Sequence, residues 1–178
     1  NLHILDKSVF TYKDVTFIGG TLWTDMNNED TTTLHAMSGM MNDFRCVSHS
    51  GKPEIQYKTP KYKTDAAGNA VLDAKGNWIE EGMETKYRPA QFNPQDAVVD
   101  HRQMLDYIKV VTEGKHDQKF VVVGHHAPSR QSTHPRYAHE KVMNGGYSTN
   151  LDDYIIDHPP IKVWVHGHTH EDFDYMIG

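Results

Sequence analysis

The stretch KFVVVGHHAPS, residues 119–129, constrains the fold of this chain more than any other. Three consecutive valines follow a phenylalanine and leave no polar face, and β-branched side chains pack well on a pleated surface. The run therefore reads as a short strand buried on both faces, of the kind α/β proteins use, stopping at Gly124. A second strand, IKVWV (161–165), lies downstream. Between them come a polar loop of about 20 residues (129–148), long enough to be functional or mobile, and a short helix, NLDDYIIDH (150–158), with Asn150 as its cap and Pro159 and Pro160 after it. Strand, loop, helix and strand imply an α/β sheet. A histidine cluster stands just beyond the end of each strand, where ligands gather in open α/β sheets.

The rest of the chain supplies helices and turns. SVFTYKDVTFIG (8–19) reads as a hairpin around Lys13 and Asp14. Leu34, Met37, Met40, Met41 and Phe44 recur at helical spacing, and their methionines read as core packing. Asn93 as N-cap, Pro94 at the first position and Asp96 in the first turn open a helix that runs to about Glu113 and ends at Gly114. His101 lies on its apolar stripe and reads as a core histidine. FDYMI (173–177) is expected to form the last strand.

Residues 50–90 differ in texture, with Lys, Gly and Thr and few aliphatics. DAAGN and DAKGN start eight residues apart and carry turn chemistry, so one or two exposed hairpins are expected. A calcium loop is excluded because Ala67 and Lys75 take the place of the third oxygen ligand, and Ala70 and Trp78 that of the glycine. Lys52, Lys58, Lys61 and Lys63 beside Tyr57 and Tyr62 suit a solvated strand edge better than a nucleic-acid surface.

Composition narrows the functional classes. The 178 residues suffice for one domain, and a net charge of −6 opposes general attraction to nucleic acid or anionic membrane. No apolar run approaches the roughly 20 residues needed to span a bilayer, and a single cysteine, Cys46, fits a reducing compartment. A cytoplasmic protein is expected. Of 13 histidines, eight fall from residue 125 onward. His168 and His170, in GHTH, would share a face in an extended segment. His166 has the same parity and stands nearer the strand. Imidazole suits Zn, Cu, Fe or Ni.

VVVGHHAPS and KVWVHGHTHEDFDYMIG resemble the last two metal motifs of the calcineurin-like metallophosphoesterases. VTFIGGTLWTDM, MNDFR and DHRQMLDYI look like connecting segments from the same group, in the same order, and 47–92 is left as an insertion. The resemblance implies a four-layer α/β/β/α sandwich in which two divalent ions, Mn, Fe or Zn, activate water for in-line attack on a phosphomonoester or phosphodiester. It implies that His125 and His168 hold one metal and His170 the other, with His126 competing for the role of His125. The family's first three motifs, D-x-H, G-D-x-x-D and G-N-H-(E/D), are not found in the sequence. The resemblance therefore implies that residues 1–178 are the later part of a single, incomplete domain. Catalysis is expected only with an N-terminal part carried by the same or another polypeptide, and the fragment alone is expected to be inactive.

Softer candidates for holding the phosphate ester are His126, Arg130, His134 and Tyr137, with Arg136 beside them on the long loop. Trp23 and Asp25 follow a strand and read equally as cleft residues or as a packed ring and a turn acid. Two rival readings stand beside the enzyme: a non-catalytic metal-binding or partner-binding protein on the same fold, and a small His-rich metal-binding module unrelated to hydrolysis.

Overall fold

A computed structural model of the chain describes residues 2–178. In chain order it contains β1 (Ser8–Tyr12), β2 (Val15–Gly19), α1 (Met26–Glu29), α2 (Thr31–Met40), α3 (Asp43–Cys46), β3 (Ile55–Tyr62) and β4 (Glu80–Arg88). These are followed by α4 (Pro94–Thr112), β5 (Lys119–Val123), α5 (Lys141–Tyr147), α6 (Asp152–Ile156) and β6 (Ile161–Val165). The fold is mixed α/β, and the chain divides into two compact units. One comprises Asn1–Arg45 and Asn93–Gly178, the other Cys46–Phe92.

In the larger unit one sheet has the order β1-β2-β5-β6. β1 and β2 form the expected antiparallel hairpin, while β2, β5 and β6 run parallel. The three parallel strands thus end at the same edge. Ile18, Phe120, Val122 and Ile161 point to one face, where Met104 and Ile108 of α4 and Leu151 beside α6 complete the core. Each such side chain, fully buried, contributes about 1.5–3 kcal/mol. The Tyr154 hydroxyl donates to the Leu105 carbonyl at 2.9 Å, which ties α6 to α4.

The other face of the sheet is open. Register aligns Phe10, Phe17, Val121 and Val163 in one row and Gly19, Val123 and Val165 in the next. Val163 is 51% exposed and Val165 47%. The expectation that β5 is covered on both sides is corrected: a valine run makes both faces apolar, but helices cover only one.

Local rules account for α4. Asn93 Oδ1 accepts from the Asp96 N–H at 2.9 Å, and Asp96 Oδ2 accepts from the Asn93 N–H at 3.0 Å, a reciprocal cap. Pro94 needs no N–H there, and Gly114 takes φ +70° beyond the end. α2 starts earlier than the apolar spacing suggests because Asp30 accepts from the Thr33 N–H at 2.8 Å. Met37 and Met41 are core, but Met40 is exposed.

Four expectations need correction. α6 begins at Asp152 with Leu151 at its N-cap and no side-chain cap bond, so Asn150 does not cap it. The 129–148 segment is not a bare loop: it contains two short 3₁₀ turns (Arg130–Ser132 and Pro135–Tyr137) and α5. Residues 173–177 form no strand, and the Tyr175 hydroxyl instead meets Ser132 Oγ at 2.6 Å. α1 is a left-handed turn in which Met26, Asn27, Asn28 and Glu29 take φ between +51° and +59°. L-residues resist that conformation by about 1–2 kcal/mol each.

The smaller unit is a hairpin of β3 and β4 extended by two copies of one turn. Asp65 Oδ1 accepts from the N–H groups of Ala67 and Asn69, and Asp73 Oδ1 from those of Lys75 and Asn77. Those bonds hold both carboxyls below their usual pKa. The sequence echo is thus two Asx turns. Among the described residues, no helix is long and apolar enough to cross a membrane.

Candidate functional site

The carboxyl edge of the parallel strands is joined by main-chain bonds. Gly124 N–H donates to the Val165 carbonyl at 2.9 Å, His125 N–H to Thr21 at 2.9 Å, and Gly167 N–H to His125 at 2.9 Å. The segments leaving β2, β5 and β6 are therefore held together where the histidines emerge. His168 and His170 take φ +64° and +55°, so the GHTH segment is not extended as the sequence reading assumed. Such outliers cluster at functional sites.

His125 Nε2 and His168 Nδ1 stand 3.1 Å apart. Two imidazole nitrogens each about 2.1 Å from one cation would stand about 3.0–3.4 Å apart, so their spacing fits two ligands of one ion. Burial first, and His125 second, lower the His168 pKa to about 4, leaving it neutral and able to donate a lone pair near pH 7. Its Nε2 is buried without a hydrogen-bond partner among the described residues. No third donor joins the pair in a ready-made cluster among the described residues.

An aromatic column backs the pair. Ring centroids step from Phe44 to Trp23 (5.6 Å), to His126 (4.8 Å), to His168 (4.2 Å) and to Tyr147 (4.6 Å). His126 is fully buried and neither ring nitrogen has a partner, although the Thr21 carbonyl lies close enough to favour its charged form. Burial, then the neighbouring His168 and His125, push its pKa well down. Of the adjacent pair, His125 faces the cleft and His126 the interior. His101 bonds the Trp23 carbonyl through Nδ1 at 2.5 Å, which makes it the expected core histidine.

The cleft measures about 890 Å³, and its lining includes His125, His168 and His170. His134, Arg136 and Tyr137 also line it, so three of the long-loop candidates reach the histidines' cleft. Arg136 pairs with Glu171 at 2.8 Å, and its guanidinium lies 4.5 Å from the Tyr137 ring centre. His126 and Arg130 do not line this cleft; Arg130 lines a separate recess. Trp23 is packed in the column, and Asp25 meets Thr149.

Chain-local reading missed three groups. Asp43 lines the cleft, and its charge opposes the lowering of the His168 pKa. The clue was an acid in the first turn of a short helix. Ser132 Oγ lies 2.9 Å from His166 Nε2, which attaches the cleft wall to the end of β6. Tyr147 stacks on His168 from a segment that carried no periodic signal.

No protein-family model, curated protein or solved structure matches the chain. What the site can do rests on its own chemistry: two convergent neutral imidazoles, a third histidine, carboxylates at Asp43, Glu140 and Glu171, and a cation at Arg136, all lining one cleft.

Proposed function

We propose that the chain contributes one side of a dinuclear metallophosphoesterase centre, cytoplasmic, acting on a phosphomonoester or phosphodiester. The observation that carries the reading is the 3.1 Å approach of His125 Nε2 to His168 Nδ1 at the carboxyl edge of three parallel strands. In this reading His125 and His168 hold one ion and His170 turns toward the second, the ions being Mn, Fe or Zn. When bound, they supply Lewis-acid stabilisation of the phosphate charge and activate water for attack. Arg136 and His134 orient the ester's oxygens, and Tyr137 flanks the leaving group.

The open face of the sheet supports the accompanying fold reading. Phe10, Phe17, Val121 and Val163 offer an apolar row of the kind a second sheet covers in a four-layer sandwich. We assign that second sheet, and the carboxylates that complete the centre, to an N-terminal part in the same or another polypeptide.

The test is expression of the complete gene, metal analysis, and hydrolysis of a generic aryl phosphate. Two metals per chain, with activity reduced at least about 100-fold in His168→Ala, is the expected outcome. Full activity in His168→Ala would sink the assignment. Absence of D-x-H and G-N-H motifs upstream would favour the non-catalytic alternative.

A further inference from the structure

Behind the cleft wall lies a recess of about 550 Å³ lined by Asn27, Arg130, Thr133, Ala138, Lys141 and Asn144. Thr133 and Asn144 also line the histidine cleft, so the two concavities share a wall. The recess lining has two cations and no carboxylate, in a chain of net charge −6.

Arg130 is half-buried, and all its bonds go to neutral oxygens. Nη1 donates to the Asn144 carbonyl at 2.6 Å and to Ser148 Oγ at 3.1 Å, while Nη2 donates to Asn27 Oδ1 at 2.6 Å. A guanidinium has five N–H donors, so Nε–H and one Nη2–H remain. Among the described residues Arg130 enters no ion pair. Burial works against its charge, and Asp25 offsets this only by a longer-range interaction. A buried charge with donors to spare favours an anion. Lys141 is exposed, and its ammonium has no hydrogen-bond or ion-pair partner among the described residues, while its carbonyl accepts from Asn27 Nδ2 at 3.1 Å. Asn27 belongs to the left-handed turn, so a strained backbone is held in place to present the amide that orients Arg130.

We propose that this recess is an anion site that takes a phosphate group, bound by the spare N–H donors of Arg130, the Lys141 ammonium and the Thr133 hydroxyl. A purely structural arginine would need its three bonds but not the second cation or the open volume beside it. The phosphate arrives either free or as part of a ligand that reaches over the Thr133–Asn144 wall. The site does not depend on the metal reading of the histidines.

The test uses the whole chain in chelator, with inorganic phosphate and a short 5′-phosphorylated oligonucleotide as separate probes, followed by amide and guanidinium NMR. Inorganic phosphate is expected to shift Arg130 Nε–H and the side-chain amides of Asn27 and Asn144. Lys141→Glu, at an exposed position, should melt as the wild type does and bind phosphate about 10-fold to 100-fold more weakly. His168→Ala should bind phosphate in the recess unchanged, which separates failure of this site from failure of the phosphoesterase reading. Shifts from the oligonucleotide on both sides of the wall would identify an esterified phosphate; shifts confined to the recess would identify free phosphate as the ligand. No shift with either probe, or wild-type affinity in Lys141→Glu, overturns the proposal.

Discussion

Replacing His126 by leucine should leave the protein as stable as before at neutral pH, or more stable, although the residue lies at the centre of the aromatic column. The ring is fully buried between Trp23 at 4.8 Å and His168 at 4.2 Å. Both of its nitrogens lack partners, and an unpartnered buried polar group costs about 1–3 kcal/mol. Lost ring contacts cost about 0.5–1.5 kcal/mol each. The balance runs from no change to about 2 kcal/mol of stabilisation. Acid sharpens the test. The folded pKa of His126 lies well below 6.5, so the unfolded chain takes up the proton first as pH falls. The stability that His126 carries while neutral is therefore complete above about pH 7 and declines below it, by at most about 1.4 kcal/mol per pH unit. His101 and His168 keep their own acid-sensitive contributions, that of His168 reduced by its partial exposure to solvent. Urea denaturation at about pH 7.5, 6 and 5 should thus show the advantage of His126→Leu growing toward acid. A loss of more than about 2 kcal/mol at the highest pH, with the wild-type pH slope retained, would refute the reasoning, because it would require a partner for the ring.

Two further outcomes follow from close contacts and strain. A Cβ at Gly145 would collide with the Asn27 side-chain amide and lie 2.7 Å from Thr33 Cγ2, so Gly145→Ala should lose about 1–3 kcal/mol in thermal or chemical melts despite alanine's better helix propensity. A rise in Tm would contradict the packing of α5 against α1 and α2. Asn28 is exposed at φ +57°, so Asn28→Gly should stabilise by about 0.5–1 kcal/mol, and a destabilised variant would argue against the left-handed turn.

What was legible in the sequence was what neighbours along the chain decide. Asn93, Pro94 and Asp96 define the start of α4 without help, and the valine run marks β5. The hairpin of β1 and β2 follows from alternation around Lys13 and Asp14. What failed depended on distant groups. α5 contains two adjacent glycines, a poor helix by propensity; a Cβ at Gly146 would stand 2.5 Å from Met37 Sδ, a proximity invisible to local rules. The left-handed turn is braced by Arg130 from 103 residues away. Residues 173–177 alternate like a strand yet have no strand beside them among the described residues. At the site, the strand ends correctly located His125 and His168, but facing rows of valine gave no sign of which sheet face helices would cover. Arg130 looked like a cleft residue because it is near His125 in sequence, whereas its side chain turns toward Asn27.

The bonds that hold the histidine segments together run from backbone to backbone: Thr21 carbonyl to His125 N–H, His125 carbonyl to Gly167 N–H. The distance between the two imidazoles is thus inherited from the pairing of β2, β5 and β6, and not from any loop side chain. Thr21 and Thr169 are free to drift over many generations of substitution while that spacing persists. A one-residue insertion between Val123 and His125 has the opposite effect: it trades the places of the two adjacent histidines, and directs inward the ring that now faces the cleft.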